Sequence, residues 1–258
     1  MKVRELPDAL LGEGRHTVSS QELLELTGLS GSALRSGLHR LREDGSMVSP
    51  ARGFYAVVPP QYRAWGAPPA EWFIDEMMGH LGRRYYVALL TAAGMHGAEH
   101  QAVQSFQVMV GKGVADLELG RERIRFYTSE HVGSVPVERR NGPSGYLCVA
   151  TRETTAVDLV ERPRRGGGLS NVATVLIELG ALDGAVVGSI AAARGKAAAR
   201  RVGWLLQRYR PDVELEQLRA AARPQEGEPA LLSSGGSATG VVDTAWGLRV
   251  NENVDPDL

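Results

Sequence analysis

The sequence predicts an α+β protein: a small helical module at the N-terminus, then a larger domain around a small, mainly antiparallel sheet. Three observations carry that expectation. Two capped, leucine-bearing helix patterns precede residue 46, alternating apolar runs lie between Ser105 and Ala150, and helical spacing returns from Thr151 onward. The 258 residues are 43% hydrophobic and 23% charged, which is enough apolar surface for a packed chain and excludes the disordered class. Pro59-Pro60 and Pro68-Pro69 bracket a predicted linker, so the expected division is residues 1–60 and residues 71–258.

The first helix is read from Ser19. Glu22 follows three residues later, the spacing of a reciprocal capping box, and Val18 with Leu23 fits a hydrophobic staple. Leu23, Leu24 and Leu26 supply an apolar face, and Gly28 ends the helix. Leu29, Ser30 and Leu34 repeat the staple-and-cap arrangement, after which Leu34, Leu38 and Leu41 recur along one stripe until Gly45. Ser46–Ser49 and Phe54–Val58 read as strands around the turn Pro50-Ala51-Arg52-Gly53.

Helix, short turn, helix and hairpin in that order predict a winged helix-turn-helix. The face of the second helix opposite its leucines carries Ser32, Arg35, Ser36, His39 and Arg42, with the cap Ser30 and the flanking Arg40. Arg52 sits at the hairpin tip. Short hydrogen-bonders and long cations are the types that read base edges and grip phosphates, so these eight residues form a predicted surface for double-stranded DNA. Between Ser30 and Val58, four arginines face two acids.

In the larger region, Glu71–Leu81 and Arg83–Gly94 read as helices. Ser105–Val110, Arg123–Tyr127 and Gly145–Ala150 read as strands. Thr151 caps a helix to Val160, another runs from Ser170 to Leu179, and an alanine-rich helix is expected from Ser189 to Tyr209. On this last helix Ala198, Val202, Leu205 and Tyr209 mark a core stripe. Ala191–Arg210 holds six cations and no acid in a chain of net charge −1. Arg194, Lys196, Arg200, Arg201 and Arg208 therefore form a candidate second basic surface.

The near-neutral total excludes wholesale coating of nucleic acid. A single cysteine excludes an internal disulfide and fits a reducing compartment. The N-terminus lacks an apolar signal core and no stretch is long enough to span a bilayer, so a cytoplasmic protein with no membrane partner is expected. His96 and His100, four apart with Glu99 nearby, have a zinc-compatible spacing but lack a third ligand, so no metal is expected. Cys148 lies in the apolar run Tyr146–Val149 and reads as a buried small residue rather than a nucleophile. Glu153 and Asp158 fall on different helix faces and make a poor carboxylate pair. Gly166-Gly167-Gly168 precedes a helix but lacks the lysine and hydroxyl of a phosphate loop, and reads as a flexible linker. Nothing here predicts an enzyme or a cofactor.

Four segments together resemble AbiEi-type antitoxins: Tyr85–Gly97 followed by His100-Gln101, Thr151–Val160, Gly167–Asn171 and Arg200–Leu206. One departure is Arg152, where that family's pattern has proline. The resemblance implies the antitoxin and autorepressor of a type IV toxin–antitoxin pair. It would bind its own operator, expected to contain inverted repeats, and oppose a nucleotidyltransferase toxin without a stable complex. The alternatives are a stand-alone winged-helix transcription factor with a ligand-sensing or dimerising second domain, and, further off, a nucleic-acid-processing enzyme that docks through the winged helix.

Overall fold

The computed structural model describes residues 2–98 and 104–257. The chain mixes helix and sheet and forms two compact units. One comprises residues 1–87, 104–133 and 139–149, the other residues 88–103, 134–138 and 150–258.

The first unit opens with α1 (Leu6–Gly12) and β1 (Thr17–Ser19), followed by α2 (Ser20–Thr27), α3 (Gly31–Glu43) and the hairpin of β2 (Met47–Ala51) and β3 (Phe54–Val57). The predicted caps form as the sequence requires. Ser19 accepts from the Glu22 N–H while the Glu22 carboxylate accepts from the Ser19 N–H, and Gly28 closes α2 in the left-handed conformation at φ 63°. Ser30 accepts from the Ala33 N–H at the start of α3. Leu6, Leu10, Val18, Leu23, Leu34, Leu38, Leu41, Met47 and Val57 make one buried cluster. Leu24, Leu26 and Leu29 are not part of it and remain over one-third exposed, so α2 presents one buried leucine rather than the expected face. α1 and β1 were not predicted; β1 pairs antiparallel with β3 and completes a three-stranded sheet in the order β1-β3-β2. Pro50, which has no N–H for the ladder, lies where the β2–β3 register shifts.

The predicted linker is not an open connection. It folds as two 3-10 turns, Pro60–Trp65 and Ala70–Trp72, and the Arg121 N–H donates to the Trp65 carbonyl at 2.8 Å. Gly66 and Gly120 touch so closely that a Cβ on Gly120 would lie 2.1 Å from that carbonyl, which requires glycine there.

After α4 (Ile74–His80) comes β4 (Tyr85–Val87), then α5 (Leu89–Met95), β5 (Phe106–Val110), β6 (Leu117–Leu119), β7 (Glu122–Thr128), β8 (Val137–Gly142) and β9 (Gly145–Ala150). The six strands are ordered β6-β7-β5-β4-β9-β8. Two expectations are corrected here. Tyr85-Tyr86-Val87 is an inner strand, not the start of a helix, because a three-residue apolar run buried on both faces carries no period that separates helix from strand. The sheet is mixed rather than mainly antiparallel: β4 pairs antiparallel with β5 and β6 with β7, while β5 pairs parallel with β7 over five residues and β4 parallel with β9.

The second unit contains α5, α6 (Arg152–Glu161), α7 (Leu169–Glu178), α8 (Gly184–Ala193), α9 (Lys196–Tyr209) and α10 (Glu216–Ala222). It also holds a small sheet of β10 (Ala230–Leu231), β12 (Leu248–Val250) and β11 (Val241–Asp243). Thr151 caps α6 through the Thr154 N–H, and Thr154 to Val160 are all buried, so α6 is a core helix. The expected single alanine-rich helix is two helices broken at Arg194-Gly195, where Gly195 adopts φ 98°. Within α9, Gly203 lies directly beneath the Trp246 ring, with no room for a Cβ.

Candidate nucleic-acid interface

α2 and α3 are joined by the three residues Gly28-Leu29-Ser30, and the hairpin follows α3 directly. The leucine stripe turns one side of α3 into the core. Gly37 extends that covered side, since Val3 packs where its Cβ would be. The remainder of α3 is free. Ser30, Ser32, Arg35, Ser36, His39, Arg40 and Arg42 are all exposed, as is Arg52 on the hairpin turn. Helical periodicity separates them into rows: Arg35 and Arg42, seven apart, share one edge, while Ser36 and Arg40, four apart, share the other. Ser32 and His39 lie between the rows, and His39 Nε2 stands 3.5 Å from Glu43 one turn on.

The hairpin tip is held in place. Gly53 takes φ 74°, its carbonyl accepts from the Ser20 N–H at 2.8 Å, and His80 Nε2 lies 3.0 Å from the Arg52 carbonyl. The Arg52 side chain thus projects from a turn whose backbone is anchored to both α2 and α4. Such an arrangement can place guanidinium groups against phosphates from two elements of one rigid module.

A cavity of about 410 Å³ lies behind this module, lined by Arg15, His16, Thr17, Glu22, Glu76 and His80 among others. Thr17 Oγ1 donates to Glu76, and Arg15 pairs with Glu22 at 2.6 Å. Burial, with Asp75 nearby, pushes the Glu76 carboxyl up. Burial pushes His16 down, and its ring meets Trp72 edge-on at 4.5 Å. Glu22 is held below the usual carboxylate range, first by the Ser19 N–H. These residues were not predicted from sequence.

The second basic surface is overturned as a surface. The Arg194 side chain is 1% exposed and pairs with Asp158 at 2.7 Å and with Glu161. Arg200 is buried and donates to four main-chain carbonyls, those of Ala222, Arg223, Glu226 and Glu228. Arg201 donates to the Leu231 carbonyl at 2.7 Å, and burial lowers its pKa. Arg210, sixth in the cation count, is buried against the Leu176 and Gly180 carbonyls and Asp212. Only Lys196 and Arg208 are exposed; Lys196 pairs with Glu226 at 2.5 Å and Arg208 lies over Trp204. Sequence shows charge but not the carbonyl ends and carboxylates that the fold brings to it.

The remaining chemical candidates resolve individually. His96 is inside the second unit, its Nε2 2.8 Å from the Ala150 carbonyl and its Nδ1 4.0 Å from Glu138; His100 and Glu99 lie outside the described residues. Among the described residues no group of three or more His, Cys, Asp or Glu is placed to hold a metal. Cys148 is half-buried and burial pushes its thiol up. No helix among the described residues is long and apolar enough to cross a membrane.

The class defined so far is an α+β protein with a small N-terminal helix-and-hairpin module. Residues 86–208 match the family described as AbiEi antitoxin C-terminal domain. The structure is similar to the crystal structure of the RV2827C protein from Mycobacterium tuberculosis. Identity is 16% and the TM-score 0.67, over 95% of this chain and 90% of that one, which establishes a shared fold. No curated protein matches the chain.

Proposed function

We propose that this chain is the antitoxin and transcriptional repressor of a type IV toxin–antitoxin pair. Its N-terminal sixty residues act as a winged helix-turn-helix on operator DNA, and the region from residue 71 onward opposes a nucleotidyltransferase toxin. The observation that carries the DNA-binding part is the free face of α3. Arg35, His39, Arg40 and Arg42 are exposed there although the opposite face is fully supplied with leucines, so packing does not require them. The antitoxin part is supported by the matched domain at residues 86–208.

In this reading α3 enters the major groove, Arg35 and His39 approach base edges, and Arg42 and Arg52 meet phosphates. The test is a gel-shift titration on the DNA upstream of the protein's own gene. Arg35→Ala should cost about 1–3 kcal/mol of specific binding, and Arg52→Ala should weaken all sequences alike and lower the salt slope by about one unit. Unchanged operator affinity for Arg35→Ala in a folded protein removes α3 as the reading helix. Co-expression with a neighbouring nucleotidyltransferase tests the other half, since the full chain should restore growth and a chain lacking residues 1–60 should retain that rescue.

A further inference from the structure

The run Arg162-Pro163-Arg164-Arg165-Gly166-Gly167-Gly168, expected as a flexible linker, is a built wall. Pro163–Gly166 forms a 3-10 turn that leads into α7. Gly166 is packed so tightly that a Cβ would lie 2.8 Å from Val172 Cγ2 and 2.9 Å from Leu159 Cδ2. Asn171 Nδ2 donates to the Gly166 carbonyl at 2.7 Å and fixes the turn against α7. Across from it stands Ser233-Ser234-Gly235-Gly236. Asn251 holds that loop by accepting from the Ser233 N–H at 2.9 Å and donating to the Ser233 carbonyl at 3.0 Å. Between these walls is a cavity of about 530 Å³ in the second unit.

Its charges are arranged unevenly. Arg164 makes no hydrogen bond or ion pair among the described residues, yet its Nη2 sits where a Cβ on Gly235 would be, 2.5 Å away. A bare pair of glycines therefore lets the guanidinium lie against the loop backbone. Arg162 and Arg165 line the same side. Of the two acids in the lining, Glu161 is committed to Arg194 and to Arg162 at 3.8 Å, which leaves Glu252. Gly168 begins the ten-residue α7 without a side-chain cap, and Leu169 in its first turn lines the cavity.

We infer that this cavity binds a nucleoside polyphosphate. The phosphates would lie against Arg164 and the start of α7, while Glu252 and the Ser233 and Ser234 hydroxyls meet the donors of the ribose or base. Guanidinium recognises phosphate by paired, charge-assisted hydrogen bonds, and a carboxylate in the same lining selects a ligand that also carries hydroxyl or amino donors. The volume suits one nucleotide. This site is separate from the α3 surface, so its fate does not depend on the DNA-binding reading.

The test is calorimetric titration of the full chain with ATP, GTP, CTP and UTP, alongside pyrophosphate and adenosine. At least one triphosphate should bind saturably, pyrophosphate more weakly, and adenosine not detectably. Arg164→Glu, an exposed position whose change leaves the melting transition in place, should weaken binding about tenfold or more. Ser234→Trp, which fills the cavity from the other wall, should do the same. No saturable binding of any triphosphate overturns the proposal, as does binding indifferent to both variants. Pyrophosphate binding as tightly as the triphosphates would overturn the nucleoside part and leave a bare phosphate site.

Discussion

Arg194→Met tests whether the second unit is held by a buried ion pair. The Arg194 and Asp158 side chains are 1% and 0% exposed and 2.7 Å apart. Removing the guanidinium takes away the 2.7 Å partner of the Asp158 carboxylate, with Arg162 standing farther off at 4.0 Å and Glu161 on the same helix. Breaking a buried pair by removing one partner costs about 3–5 kcal/mol, against a total stability of roughly 5–15 kcal/mol for a folded protein. At about 2–4 °C per kcal/mol for a chain of this size, the transition reporting on this unit should fall by roughly 6–20 °C. Urea unfolding followed by circular dichroism gives the same quantity as a lowered midpoint with unchanged slope. Asp158→Asn should be destabilising for the reciprocal reason. The double variant should recover part of the loss, because Asp158→Asn removes the buried carboxylate while Glu161 keeps Arg162 at 3.8 Å, and the double-mutant cycle then returns a coupling of more than about 1 kcal/mol. Single variants within 1 kcal/mol of the parent, or strictly additive losses, would refute a pair that works as a unit.

The other predictions follow from neighbouring geometry. Arg200→Lys should cost at least about 2 kcal/mol, since one ammonium cannot serve all four carbonyls and each orphaned buried acceptor costs about 1–3 kcal/mol; urea midpoints measure it, and parent-like stability would dismiss the clamp. His16 has a folded pKa lowered by burial, so its contribution is present above the unfolded value and lost as pH falls through the folded one. His16→Gln should therefore flatten the stability profile on the acid side of 6.5, the ordinary imidazole value, with Arg15, Glu22, Glu76 and His80 unchanged around the cavity. Glu76 has the opposite sign, its raised pKa adding stability at low pH that fades as pH rises, so comparison of variant with parent isolates the histidine. Identical pH profiles would exclude His16 as a titrating determinant.

What was legible in the sequence is local chemistry. The Ser19–Glu22 box, the Ser30 and Thr151 caps and the Leu34–Leu38–Leu41 stripe are set by residues within a few positions of one another, and each forms as read. The exposed positions on α3 follow from the same periodicity. What was not legible depends on partners distant in the chain. Strand β4 is identified by pairing with β5 and β9, and the parallel β5–β7 ladder has no signature in either strand alone. The α8–α9 break needed one observation within reach, the glycine at 195 in an otherwise alanine-rich run. The basic helix was misread for a physical reason: its acid partners Asp158 and Glu161 lie more than thirty residues earlier, and the Arg200 partners are main-chain carbonyls, which no composition reveals.

These placements also change what the antitoxin-domain motifs mean. Asp158 in the Thr151–Val160 motif pairs with Arg194, Asn171 in the Gly167–Asn171 motif pins the Gly166 carbonyl, and Arg200 in the Arg200–Leu206 motif ties α9 to the chain after α10. Gly203 in that last motif admits the Trp246 ring, whose Nε1 donates to Gln207 at 2.5 Å. Each of these residues therefore has a sufficient structural role: an internal ion pair, a loop clamp, or a close helix contact. Side chains spent on internal contacts are not free to select an operator or a toxin. If the chain acts as proposed, selectivity must come from exposed positions outside those motifs. The face of α3, the Arg52 tip and the Arg164 cavity wall are such positions, and they can vary without disturbing the packing that the motifs secure.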